Sequence, residues 1–212
     1  MTIDDAVTRP PAWAEWLLRL VLREDDRDSV SGDLLEEFRE SIVPALGARA
    51  NAWYVRQVAG FVAREIWPCA AVVAATCVVR YLFDTLLPIK YTPGVIAERS
   101  AVMTWTLIAT VTSCAAWHAW RTRRLGAALV IVILATFVGG LLAQAGTLLC
   151  FAVRHDPATV AAIEGSGGFG EAFIDPSIGL AIAAGVVGLP GAIAGRLARA
   201  VYGWSSANTK SA

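Results

Sequence analysis

Charge is missing from this chain over three long stretches. Residues 100–120, 125–153 and 176–195 contain no Asp, Glu, Lys or Arg. Each is about as long as the roughly 20 residues a helix needs to cross the hydrocarbon core of a bilayer. An ordinary soluble domain is excluded: about a quarter of its residues would be charged, against 17% here. A fourth apolar run, 66–88, reaches spanning length only by including Arg80 and Asp84.

Other absences narrow the function. No GxxxxGK[ST] occurs, so no nucleotide-binding P-loop is encoded. The four cysteines, Cys69, Cys77, Cys114 and Cys150, all fall in apolar runs and form neither CxxC nor a zinc spacing. They read as small packing residues. Cys114 and His118 stand one helical turn apart but lack a third ligand nearby, so no metal and no cofactor is expected. Residues 1–65 hold no histidine, eight Arg and twelve Asp or Glu. A net-acidic soluble part offers no nucleic-acid face. With no nucleophile–base pair either, an enzyme is not expected. A cleavable signal peptide is not visible: Asp4 and Asp5 come early, and Arg19 interrupts LLRLVL. The first membrane helix would then serve as its own insertion signal.

The positive charges that are present set an orientation. Arg121, Arg123 and Arg124 crowd one short loop, and Arg196, Arg199 and Lys210 follow the last apolar run. The opposite loops carry only Lys90, Arg99 and Arg154. Four spans with both termini cytoplasmic satisfy every loop. The expected fold is all-α: a small cytoplasmic three-helix module over 1–65, then a four-helix transmembrane bundle over 66–199 and a cytoplasmic tail over 200–212. The spans are expected near 66–88, 100–120, 125–149 and 176–197. GSGGFG (165–170) has no Lys, Ser or Thr after it and reads as part of an outer loop.

Within the module, Pro10 and Pro11 precede WAEWLLRLVL, a favourable helix start. Trp13, Trp16, Leu17, Leu20 and Val21 follow helical spacing. They form either a packed core or an interfacial anchor. The segment EDDRD predicts a turn before a second helix with the stripe Val30, Leu34, Phe38 and Ile42, ended by Pro44 and Gly47. A third helix presents Trp53, Tyr54, Val58, Phe61 and Val62 to its neighbours and runs into Trp67–Pro68.

Three blocks in order, PPAWAEWLLRLVL, D-x-x-x-G-D-L-x-E-E-F-R-E (Asp28–Glu40) and AWYVRQV (Ala52–Val58), resemble the permease prefix domain. That domain precedes the permease part of bacterial ABC-type orphan permeases and also occurs on short membrane proteins. The likeness covers roughly residues 8–65. It implies a bacterial cytoplasmic (inner) membrane and a protein partner, either a transporter subunit or a transcriptional regulator.

The candidate site residues follow. Asp33, Glu36, Glu37 and Glu40 read as a solvated helix face able to bind a partner, with a carboxylate site as the less common reading. Arg80 and Asp84, four apart in the first span, form an intramembrane pair that is self-neutralising, or a gate or proton-coupled site, or a contact with another chain. Gly191 and Gly195 form a GxxxG for close helix packing, within the bundle or in a homo-oligomer. Gly139, Ala143 and Gly146 give the third span a small face, expected against the fourth. Gln144 and His118 are polar intruders, with His118 expected at the interface. The function expected is an integral membrane protein in contact with membrane lipid that recruits a protein partner. The alternative is a small transporter or channel subunit using Arg80 and Asp84.

Overall fold

The computed structural model describes residues 9–86, 93–154, 164–165 and 169–208. These are helical almost throughout, and no strand occurs among the described residues. The all-α class expected from the sequence is therefore what the chain adopts.

Helix α1 (Ala12–Val21) starts directly after Pro11. Its buried face is Ala14, Leu18 and Val21, at positions i, i+4 and i+7. Trp13 and Trp16 point outward, 59% and 61% exposed. The expected stripe of Trp13, Trp16, Leu17, Leu20 and Val21 is thus corrected. Ala14 is inconspicuous in a hydrophobic pattern, yet its small side chain allows the close approach that selects this face.

Helix α2 (Glu24–Glu37) begins within EDDRD, which forms its first turns rather than a turn before it. Glu24, Asp25 and Asp26 there oppose the positive end of the helix dipole. Arg27 turns back and is buried. Its Nε donates to the Arg19 carbonyl at 2.7 Å and its Nη2 to that of Leu22 at 3.4 Å. These bonds serve carbonyls that the end of α1 leaves without helical partners. Burial, with the positive charge of Arg124 as a further cause, holds the Arg27 guanidinium below the usual arginine range.

Pro44 does not end the second helix. A π turn over Phe38–Ile42 comes first, in which the Val43 N–H donates to the Phe38 carbonyl. The short helix α3 (Val43–Leu46), with Pro44 in its first turn, follows. Gly47, at φ +52°, then breaks the path in a conformation that side chains disfavour. Leu34 and Phe38 from this stretch pack with Ala14, Leu18, Ala50, Tyr54 and Val58 in one buried cluster. Phe38 and Tyr54 meet edge to face, centroids 5.4 Å apart, a favourable aromatic geometry.

Helix α4 (Ala50–Leu86) is continuous for 37 residues. The third module helix and the first apolar run are one rod, with Pro68 inside it and no backbone break at residue 65. Helices α5 (Pro93–Thr122), α6 (Leu125–Arg154) and α7 (Phe169–Asn208) complete the chain. The longest contacts run between α5 and α7, α4 and α6, and α6 and α7. Three helical stretches are long and apolar enough to cross a membrane: Glu24–Val79, apolar toward its C-terminal end, Leu125–Leu149 and Ile174–Tyr202. Helix α5 is 30 residues long and is not one of the three stretches found among the described residues.

The glycines show which faces meet. A Cβ at Gly191 would strike the Thr112 carbonyl, and one at Gly195 the Ala116 carbonyl, so the GxxxG seats α7 against the α5 main chain. Gly139 faces Ala70 and Val73 of α4, and Gly146 faces Val78. The small face expected against the last span (176–197) meets the first (66–88) instead, although the third and last spans are neighbours as expected. Gly140, next along the helix, is the residue that meets α7, through Ser177. Adjacent glycines create two small faces about 100° apart, and spacing alone does not assign a partner to each.

Candidate functional site

The turn joining α5 to α6 is a compact polar junction. Arg123 sits at φ +58°, uncommon for a residue with a side chain. The Thr122 hydroxyl stabilises the turn by donating to the His118 carbonyl at 2.8 Å and accepting from the Arg124 N–H at 3.4 Å. Arg121 Nη1 lies 2.9 Å from Glu65 Oε2 on α4. Arg123 Nη1 lies 3.6 Å from Glu24 Oε2 on α2. Both pairs tie the N-terminal module to the turn. Arg199 of α7 stacks over Trp120, 5.8 Å from the ring centre.

His118, expected at the interface, is buried, and its Nδ1 finds no hydrogen-bond partner. Cys69 and Cys114 pack in one cluster between α4, α5 and α6. Among the described residues no group of three His, Cys, Asp or Glu is placed to hold a metal ion.

Asp33, Glu36, Glu37 and Glu40 are all exposed. None of them forms an ion pair among the described residues, whereas Glu15, Glu24, Asp25, Asp26 and Glu65 do. The carboxylates of the α2 face are available for contact and are not held in a network that could set up acid–base chemistry.

At the other end of the long helices, α4, α5, α6 and α7 surround a cavity of about 330 Å³. Cys77 and Tyr81 come from α4, Met103 from α5, Gln144 and Thr147 from α6, and Ser177 from α7. Spacing explains the convergence: Cys77–Tyr81 and Gln144–Thr147 are each one turn apart, so each pair shares a face. Thr147 returns its hydroxyl to the Ala143 carbonyl at 3.0 Å. The Gln144 amide has no hydrogen-bond partner among the described residues. Arg80 and Asp84 belong to the same stretch of α4, but their side chains lie outside the described residues.

Of the sequence candidates, Gly191 and Gly195 sit on the α5–α7 contact, and the four acids stand apart on α2 and the π turn that follows it. Sequence reasoning found Gln144 but missed Tyr81, Thr147 and Ser177 beside it. The available signal was hydroxyl and amide groups gathered toward one end of several apolar runs. No family model, no curated protein and no solved structure matches this chain.

Proposed function

We propose that this chain is an integral protein of the bacterial cytoplasmic membrane whose helical module recruits a protein partner, a transporter subunit or a transcriptional regulator. One observation carries the reading: the module's acids are divided. Glu15, Glu24 and Glu65 are engaged by Arg19, Arg123 and Arg121, whereas Asp33, Glu36, Glu37 and Glu40 are exposed and unpaired among the described residues. An uncompensated acidic face suits a basic surface, because complementary charge orients and speeds association. The resemblance of residues 8–65 to permease prefix domains supports the same role.

In this reading α4 to α7 make four spans, α5 being the second, with both termini cytoplasmic. The arginine distribution supports that orientation. So do the Arg121–Glu65 and Arg123–Glu24 pairs, which require module and turn to share a side. Cysteine placed at Gly165 should react with a membrane-impermeant reagent on whole cells, and cysteine at Gly126 should not. Both sites are exposed with open space beyond the Cα. The native cysteines are replaced beforehand, and reversed labelling would overturn the orientation.

The recruitment test is charge reversal, Glu36→Lys, Glu37→Lys and Glu40→Lys together. Each exposed change should alter stability by only about 0.5 kcal/mol, so membrane insertion should persist. Capture of the co-purifying partner should be lost. A second reading, a small transporter or channel subunit using Arg80 and Asp84, is favoured by the cavity that shares α4 with them. If nothing co-purifies and reconstituted vesicles pass a solute that Asp84→Asn blocks, this second reading replaces the first.

A further inference from the structure

We infer that the cavity between α4, α5, α6 and α7 binds a small amphiphile whose head both donates and accepts hydrogen bonds. The inference is independent of partner recruitment and rests on the membrane reading alone.

The argument starts from Gln144. It stands inside the apolar stretch Leu125–Leu149, five residues before its end. A primary amide carries two donors and an acceptor. At such depth an unmatched amide is costly, and neighbouring helices ordinarily supply its partner. Here no helix does so; the residue lines a space instead. The remaining chemistry is graded. Gly140 and Leu180 give the cavity apolar wall, and Met103 contributes a thioether side chain that adapts to irregular shapes. Tyr81 and Thr147 lie one turn farther along their helices than Cys77 and Gln144, toward the end of the spans. The lining therefore places the Gln144 amide beside an apolar body.

A carboxamide or similar head would be matched by the Gln144 amide. A volume of about 330 Å³ lies in the range of small-ligand sites, which combine apolar walls with a few convergent polar groups. The site commits to a small amphiphile entering from the lipid phase rather than a whole phospholipid.

The test uses the full chain in phosphatidylcholine vesicles and two photoreactive probes. One is an alkyl primary amide with a diazirine on its chain, and the other is the same alkyl diazirine without the head. The amide should label the segments 77–81 and 143–147, and excess unlabelled amide should suppress that labelling. Gln144→Leu should weaken apparent affinity about tenfold, the loss expected when one buried hydrogen-bonding head is left unmatched. Met103→Trp, which fills the space from another helix, should abolish labelling while Gln144 stays in place. Equal labelling of these segments by the headless probe would overturn the inference. So would wild-type labelling that unlabelled amide fails to suppress, which would mean non-saturable partitioning of the probe rather than a site. A chain that does not float with the vesicles after an alkaline wash would overturn the membrane reading and this inference with it. A chain that floats but labels only on its lipid-facing residues would overturn this inference alone.

Discussion

At the turn end of the long helices, small residues and opposite charges close the structure. Gly191 and Gly195 let α7 lie on the α5 main chain, and Arg121 and Arg123 reach Glu65 and Glu24. At the far end the same helices meet through Tyr81, Gln144, Thr147 and Ser177, and a cavity remains. Among the described residues, Met103 and Leu180 are the large aliphatic side chains at the cavity. The difference is chemical. Main-chain contact needs side chains that are nearly absent, whereas Gln144 brings a long amide side chain to the far end. One end is built to stay shut, and the other leaves room for something small.

The sharpest way to break this contrast is to fill the closed end. Gly195→Leu or Gly191→Leu drives a side chain into the carbonyl of Ala116 or Thr112. It should destabilise the folded chain by about 3 kcal/mol, the upper range for overpacking. Gly179→Leu, with open space around it, should leave stability unchanged. Thermal retention of the monodisperse protein in detergent, read by gel filtration, separates these outcomes. Equal losses at Gly179 and Gly195 would mean that the GxxxG contact is not special.

A smaller effect, of opposite sign, is expected in the module core. Tyr54 is fully buried, and its hydroxyl has no hydrogen-bond partner. Tyr54→Phe should stabilise the chain by about 1 kcal/mol, the order of an unsatisfied buried polar group. Burial, aided by the nearby Glu15 charge, pushes the Tyr54 phenol above its usual range. The unfolded chain would then ionise first as pH passes about 10. Wild-type stability should therefore fall as pH rises from about 10 toward the folded value. Denaturation midpoints at about pH 8 and about pH 10.5 should converge in Tyr54→Phe; an unchanged alkaline slope would argue against this phenol as its source.

The smallest effects sharpen the comparison at the turn. Double-mutant cycles should give about 1 kcal/mol of coupling for Arg121–Glu65, which is 2.9 Å long with Glu65 only 16% exposed. Arg123–Glu24, at 3.6 Å and about half exposed on both sides, should give about 0.3 kcal/mol. A reversed order would place the main clamp on α2 rather than α4.

Much of this architecture was legible in the sequence, where side-chain chemistry is periodic. The charge-free runs, the α2 stripe around Leu34 and Phe38 and the end at Gly47 follow from spacing and φ preference. The rest depended on partners that spacing does not name. Ala14 outweighs Trp13 and Trp16 because close approach, not hydrophobicity, chose the buried face of α1. Arg27 reads as one charge among five in EDDRD, yet it folds back onto the carbonyls of α1. Pro44 looked like a terminator, and the π turn before it carries the chain onward. For the cavity, Gln144 could be singled out, but Tyr81 and Ser177 come from two other helices whose register only tertiary packing fixes.

The uninterrupted backbone of α4 carries a mechanical consequence. From Tyr54 in the module core to Tyr81 at the cavity is about 40 Å along one helical rod. No slack linker lies between them, so a push on the module is not dissipated in a loop. The yielding point is Pro68, which cannot donate to the Arg64 carbonyl one turn earlier. Bending concentrates at that missing bond, while twist passes it, because the covalent path on either side remains helical. Residues 50–65 and the cavity residues Cys77 and Tyr81 therefore share one continuous helix.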